Sequence, residues 1–499
     1  MTPSKGQSFA LNIVQFAMQS LMDGLSLRQV ELVLGRVGAW FGFDGPDFST
    51  VRLWALRVGL FLWQRTPPRA DDWIWIVDHV AESGGGKCLT ILGVRRSQLR
   101  GGDFALQHTD VTVLFMKVMP TSTGDAMFEI FVALAAVSGV PVQIVSDHGS
   151  DVFKGERLFH AQHPGIDVTW DCTHFHARRL LAAIKDDEVW ALLKWSCQQT
   201  RLTVQRTPFA ALSPPSTTGA SRCEHLDKLT LWGVKTLAKL DAGAVAVLDD
   251  EHCYDAEAAN TVRAELSPTV ARSLKSLADR SFPNAATFTA ALTETVGAEA
   301  QPSLSAAQIT AIRRASHRGQ RRADQHFAWL EAFRSPLTEI YEPLVQMVYS
   351  AEQQIKQAGL HCHSATDWLA TQPPLPKSWT RARRFRAQLL RHLRQTGRTP
   401  LPDGHYRPRD QALLATSDVL ESLFGKYKRY TERSPQTPLT SAILTLPLAT
   451  EPLTPTLLAE ALESVGVKHL YHWCQQTFGR TKLATQRLLT HLLPGTKPA

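Results

Sequence analysis

Apolar residues recur at helical spacing from residue 8 to 64, and the period then switches to that of β-strands. Ser26 followed three residues later by Gln29 predicts a capping box opening Leu27-Arg-Gln-Val-Glu-Leu-Val-Leu. A Gly-containing connection, Phe41-Gly-Phe-Asp-Gly-Pro46, leads to Ser49, which is expected to cap a helix starting at Thr50. Helix, Gly-rich turn and a second helix carrying Arg52 and Arg57 fit a DNA-reading helix-turn-helix or a plain helical hairpin. Thr66-Pro-Pro-Arg-Ala-Asp-Asp72 then breaks the pattern as a linker.

Strands follow at Asp72 to Asp78, Lys87-Cys-Leu-Thr-Ile-Leu-Gly-Val94 and Val111-Thr-Val-Leu-Phe-Met-Lys-Val118. Next come a helix over 124–137, a strand in Val140-Pro-Val-Gln-Ile-Val-Ser-Asp147, a further strand Asp167-Val-Thr-Trp-Asp171, and helical sequence from Phe175 to about Gln199. The first and fourth strands each end on an Asp followed by His, Asp78-His79 and Asp147-His148. Strand ends are where α/β sheets place ligands, so these two predict a pair of carboxylates brought together around a metal. Beyond a Pro- and Ser-rich break at 205–222, the chain reads as helical to about 395, including an amphipathic run from Phe327 to Ala358. Pro400-Leu-Pro-Asp-Gly404 interrupts it, and the tail is proline-punctuated to Pro455, then helical to about Leu493.

The 499 residues exceed one ordinary domain, and an apolar fraction of 44% supports real cores. A net charge of +8 favours a polyanionic partner, and its clustering says more than its sum. Arg313-Arg-Ala-Ser-His-Arg318-Gly-Gln-Arg321-Arg322 forms one basic stretch. Lys377-Ser-Trp379-Thr-Arg381-Ala-Arg383-Arg384-Phe385-Arg386, continued by Arg391, Arg394 and Arg398, forms the other. Neither contains a balancing acid, which favours phosphate contact over a merely solvated face, with Trp379 available for stacking. Seven scattered cysteines without a Cys-x-x-Cys pair fit reduced thiols, and neither a signal-peptide pattern nor a membrane-spanning run is seen, so a cytoplasmic protein with no membrane partner is expected. Gly84-Gly-Gly-Lys87 lacks the first Gly and the Ser or Thr of a phosphate-binding P-loop. His361-Cys-His363 has no partners at metal-site spacing.

Together, Trp75-Ile-Val-Asp78-His79, the strand from Lys87, Val145-Ser-Asp147-His-Gly-Ser-Asp151 and Glu421-Ser-Leu-Phe-Gly-Lys-Tyr-Lys428 resemble the DDE transposases of bacterial insertion sequences, closest to the less-classified group with a large helical insertion. The resemblance covers roughly residues 70–200 and 405–435 in motif. It implies an α/β ribonuclease H-like catalytic core with a mixed five-stranded sheet, an N-terminal helix-turn-helix region and a large all-α insertion. The implied boundaries are 1–66 for the DNA-binding helices, 70–204 for the first part of the core and 205–400 for the insertion. The catalytic helix would occupy 401–435 and a helical tail 436–499.

The same resemblance implies a metal site of Asp78, Asp147 and Glu421, with Asp418 and Glu432 as nearby alternatives to Glu421. Such a site holds two Mg²⁺ ions about 3.5–4 Å apart, for which Mn²⁺ can substitute, one activating water or a 3′-hydroxyl and the other stabilising the leaving oxygen. Asp171-Cys-Thr-His174 resembles the Asp-x-x-His signature of related enzymes and implies an orienting role for Asp171 and His174, with Asp151 a helix cap or supporting group. Cys172, His174 and His176 form an incomplete zinc set, since a fourth ligand is missing. Arg52, Arg57, Arg381, Arg383, Arg384, Lys426 and Lys428 are the expected DNA contacts, and Trp232 is a core tryptophan or a base-stacking one. The expected partners are double-stranded DNA, as element terminal inverted repeats and target, and further copies of the chain to pair two ends. The expected reaction is strand cleavage by water followed by strand transfer. A structure-specific nuclease on the same fold and a non-catalytic DNA-binding derivative are the competing readings.

Overall fold

The structure is a computed structural model describing residues 8–81, 86–99, 104–218, 223–241, 323–400, 406–408, 411–431 and 439–479. The basic stretch at 313–322, Glu432 and the expected insertion sequence from 242 to 322 lie outside the described residues. The chain divides into two compact units, one of residues 1–175, 353–364 and 394–499, the other of 176–352 and 365–393.

The first unit begins with α1 (Leu11–Met22), α2 (Leu27–Phe41) and α3 (Phe48–Gln64). The expected capping box forms: Gln29 N–H donates to Ser26 Oγ at 3.3 Å and Ser26 N–H to Gln29 Oε1 at 2.8 Å. The cap of α3 differs from the expectation. Asp47 rather than Ser49 accepts the Thr50 N–H, at 2.8 Å, and Ser49 Oγ donates to the same carboxylate. A carboxylate is the stronger acceptor at a helix N-terminus, so the helix starts two residues early. Apolar side chains line two sides of α3. Val51, Trp54, Ala55, Val58 and Leu62 pack with α1, α2 and Leu448 to Leu462, while Leu56 and Leu60 pack on Leu444, Val465 and Leu470.

Five strands follow as expected: β1 (Trp73–Ala81), β2 (Lys87–Arg95), β3 (Thr112–Met119), β4 (Gln143–Ser146) and β5 (Asp167–Trp170). They form one mixed sheet in the order β3-β2-β1-β4-β5. β1, β2 and β3 are antiparallel neighbours, and β4 runs parallel to both β1 and β5. Alternation along β1 decides the two faces. Trp75 and Val77 face α4 (Gly124–Ser138) and α5 (Ser150–Gln162), meeting Phe131 and Phe159. Gly155 permits the close approach of those two helices, since a Cβ there would lie 2.6 Å from Met127 Cβ. Ile74, Ile76 and Val80 face the other way, with Val145, onto residues that arrive from far along the chain.

The second unit is helical among the described residues. It takes residues from α6 (Cys172–Ile184), α7 (Glu188–Val204), α8 (Leu226–Asp241), α9 (Glu342–Ala358), α10 (Ser364–Thr371) and α11 (Thr380–Thr396). The amphipathic run from Phe327 is a 3₁₀ turn, a π-helical turn and then α9, rather than one continuous α-helix; Pro336 removes a backbone donor at the irregular stretch. Trp232 donates its indole N–H to Leu212 O and stacks against Trp329, which is the behaviour of a core tryptophan.

The distant segment that covers the first unit's sheet is 411–431, ending in α12 (Asp418–Thr431). The buried Gln143 side chain fastens it: Nε2 donates to Leu414 O and Thr169 Oγ1, and Oε1 accepts from Leu414 N–H. Cys172 N–H donates to Ala415 O, and Leu413 pairs with Leu360 through both backbone groups at 2.8 Å. Leu420, Leu423, Phe424 and Tyr427 then bury one stripe of α12 on the sheet. No helix among the described residues is long and apolar enough to cross a membrane.

Replacing Gln143 with Leu preserves side-chain bulk but strands the Leu414 N–H and C=O. Each buried orphan costs about 1–3 kcal/mol. The expected result is a lower denaturant midpoint than wild type with an unchanged m-value; an unchanged midpoint would show that Leu414 is held elsewhere.

Candidate active site

The register of the parallel strands brings the acidic residues together. β1 and β4 pair through Val77 and Ser146, and β4 and β5 pair through Ser146 and Trp170. The next residue on each strand is Asp78, Asp147 and Asp171. By strand alternation all three belong to the face covered by α12. Two of them were expected as ligands, and the third sits one strand further out.

Asp78 is half-buried and its Oδ1 accepts the His79 N–H. Burial and then the charge of Asp147 push its carboxyl up to about 7, with Glu421 adding to the rise and His174 opposing it. Asp147 and Glu421 thus both act on the Asp78 carboxyl. Asp147 is held by the Gly149 N–H on Oδ1 at 2.8 Å, and its backbone carbonyl accepts the Trp170 indole N–H at 3.0 Å. Glu421 stands on α12 with Oε1 3.4 Å from His174 Nε2. Among the described residues, no group of three or more His, Cys, Asp or Glu side chains is gathered as a ready-made metal cage.

Asp171 is completely buried and orients its surroundings. Its Oδ1 accepts the His174 N–H at 2.8 Å, and Oδ2 accepts both the Ser417 N–H at 2.6 Å and the Ser417 hydroxyl at 2.9 Å. Ser417 O in turn accepts the Glu421 N–H at 3.1 Å. One carboxylate thus ties the start of α6, where His174 lies, to the start of α12, where Glu421 lies. Burial pushes the Asp171 carboxyl up despite these donors.

The remaining expected residues separate into distinct settings. Asp151 lies in the first turn of α5, accepts from its own helix at Val152 N–H, and is 3.9 Å from Lys87 Nζ. Burial opposes its charge, but the Ser122 hydroxyl, the Val152 N–H and His79 outweigh it and hold the carboxyl below its usual value. Asp418 pairs with Lys356 at 2.6 Å. His174 meets Glu421, whereas His176 meets Glu352 at 3.5 Å. Arg57 donates to the carbonyls of Leu462 and Val465, so it caps a C-terminal helix from within the fold, while Arg52 is exposed. Arg381 is ion-paired with the half-buried Asp187, which also accepts from Tyr341. Arg383 and Arg384 are exposed and, with Arg386, line an open groove of about 440 Å³ on α11. Lys428 is exposed, and Lys426 reaches Met22 O at 3.4 Å.

Sequence reasoning missed Ser417, Gln143 and Glu156. Glu156 is 1% exposed, carries its carboxyl 3.6 Å from His148 Nε2, and is pushed up to about 8 by burial and by Asp147, against the Ser146 hydroxyl. A signal was present: Val152, Gly155 and Phe159 mark the inward stripe of α5, and Glu156 falls inside it.

No protein-family model matches the chain, and a comparison with curated proteins finds no match.

The raised Asp78 carboxyl has a definite linkage. From its ordinary value of 3.8 up to about 7, the folded protein keeps a proton that the unfolded chain releases, so stability falls as pH rises through that window and levels off above it. Asp78→Asn removes the penalty. In chelator-containing buffer the variant is expected to be more stable than wild type at pH 8, on the order of 2 kcal/mol, with the gap closing towards pH 4. Thermal melts across that range check it; a pH-independent gap would contradict the assignment.

Proposed function

We propose that the protein is a DNA-processing enzyme of the DDE transposase type, cleaving and joining DNA strands with Asp78, Asp147 and Glu421 as its site. The observation that carries this reading is the register of the parallel strands, which sets Asp78 and Asp147 side by side on the face covered by α12; Asp147 and Glu421 both push the Asp78 carboxyl up. A fold rarely concentrates like charges at a strand end unless a cation or a reaction makes use of them. The strand order β3-β2-β1-β4-β5, with three antiparallel strands and two parallel additions, supports a ribonuclease H-like core.

The donor chemistry suits Mg²⁺ or Mn²⁺. All three side chains offer hard oxygen ligands, and a cation would relieve the repulsion that Asp78 feels. When bound, such a pair of ions would supply an activated water or 3′-hydroxyl and neutralise charge on the leaving oxygen. The chain's own residues hold and orient. Asp171 fixes Ser417 and with it the first turn of α12, which carries Glu421. His174 faces Glu421 and restrains its carboxylate.

DNA contact is assigned to the exposed basic side chains Arg52, Arg383, Arg384 and Lys428. α11 has no acidic residue between Thr380 and Thr396, so its outer face attracts phosphate without internal competition. Arg57 and Arg381 contribute to the fold through their internal partners. The substrate class is double-stranded DNA bearing the element's ends together with target DNA, bound by at least two copies of the chain. A nuclease without strand transfer would use the same carboxylates, and joined DNA products separate the two readings.

With purified protein, a labelled duplex carrying one end of its native element and Mg²⁺, nicking at that end is expected and is abolished by chelation and by Asp147→Ala. Activity should rise with pH through about 7, as Asp78 loses the proton that competes with the cation. Tight binding without cleavage in Mg²⁺ or Mn²⁺ would overturn the enzymatic reading in favour of a DNA-binding protein.

A further inference from the structure

The turn that presents Asp147 is backed by a group of side chains on the opposite face of the sheet. His148, the next residue, has a φ of 53°, a left-handed conformation uncommon for a residue with a Cβ. Such a backbone persists only when its surroundings over-determine it. Here the imidazole lies between two aromatic rings, with centroids 4.9 Å from both Trp170 and Phe153, and its plane is within 22° of the Trp170 indole. Its Nε2 is 3.6 Å from Glu156 Oε2. The same cluster reaches the backbone of the turn: His148 N–H donates to Ser146 Oγ, and Trp170 Nε1 donates to Asp147 O.

Glu156 is the member of this cluster that packing does not explain. It occupies the inward stripe of α5 between Val152 and Phe159, where an apolar residue of similar volume would avoid the cost of burying a carboxyl. Its neighbours are Ser146 and His148, the residues on either side of Asp147. A buried polar group retained at such a cost is expected to specify one arrangement of the atoms around it.

We propose that Glu156 is a positioning residue that holds the His148 imidazole, and through it locks the turn that aims the Asp147 carboxylate. Glu156 and His148 touch no reacting atom in this scheme. Their work is to keep the Gly149 N–H on Asp147 Oδ1 and the carboxylate in a single orientation. The consequence for cation binding rests on the function proposed above; the lock itself does not.

The test compares Glu156→Leu with Glu156→Gln in the full-length chain. Leu removes the buried carboxyl, so the melting temperature is expected to rise or stay level, while exchange of the His148 and Gly149 amides speeds up about tenfold or more. Mn²⁺ affinity, measured by calorimetric titration, is expected to weaken about tenfold or more, the range seen when groups behind a metal ligand are lost. Gln, which keeps a polar group facing His148, should restore both. Stability and cation affinity moving in opposite directions is a signature that a merely structural role would not give. Unchanged amide exchange in Glu156→Leu, or a loss of Mn²⁺ affinity matched by a fall in melting temperature, overturns the proposal. If wild type itself binds no Mn²⁺, the metal reading of the site falls, and the amide exchange alone decides the lock.

Discussion

The arrangement depends on one buried carboxylate. Asp171 accepts hydrogen bonds from the backbone of His174 and from both donors of Ser417, which lies 246 residues away in the chain. A fully buried carboxyl is costly unless donors surround it, so removing either partner segment would leave Asp171 short of the donors that offset its burial. That cost makes the docking of 411–431 on the sheet specific. Apolar contacts from Leu420, Leu423 and Phe424 also hold it, but they are non-directional and would permit sliding. Asp171 and Gln143 give the segment its register, and with it the height at which Glu421 meets the sheet.

Parallel pairing performs the same task for the two other acids. Val77 opposite Ser146 makes Asp78 and Asp147 neighbours by backbone geometry alone, before any side chain interacts. The repulsion between them is then a consequence of register, offset by the rest of the sheet. Strand β1 is the natural place for such a load: it is central, hydrogen-bonded on both sides, and its Trp75 is fully buried among Phe131 and Phe159. A site built at the end of this strand inherits the stiffness of the whole sheet.

The strands and the two aspartates were legible because they rest on local signals, alternating β-branched runs that end on a polar residue. The N-terminal capping box was legible for the same reason. The cap of α3 was misplaced by two residues because Ser49 and Asp47 both suit an N-cap, and only the geometry separates them. Glu421 could be placed near the site only through the resemblance, since no periodicity in α12 links it to a sheet so far back in the chain. Arg57 and Arg381 look like surface cations in sequence. Their partners, the carbonyls of Leu462 and Val465 and the Asp187 carboxylate, come from segments that local pattern does not connect to them.

The Glu156 case shows how a buried acid becomes informative. In sequence, the stretch from Ser150 to Gln162 mixes apolar and polar residues, and one Glu among them attracts no notice. Once Val152, Gly155 and Phe159 fix which side faces the core, the same Glu stands out as a charge on the wrong side. Stability alone would favour an apolar side chain there, as it would at Asp78, a half-buried acid towards the end of the central strand. Two separate departures from the most stable choice, converging on the turn after β4 and the end of its neighbour β1, are not explained by packing. Under the proposed function, they are what a site requires when its geometry matters more to the protein than the energy of holding it.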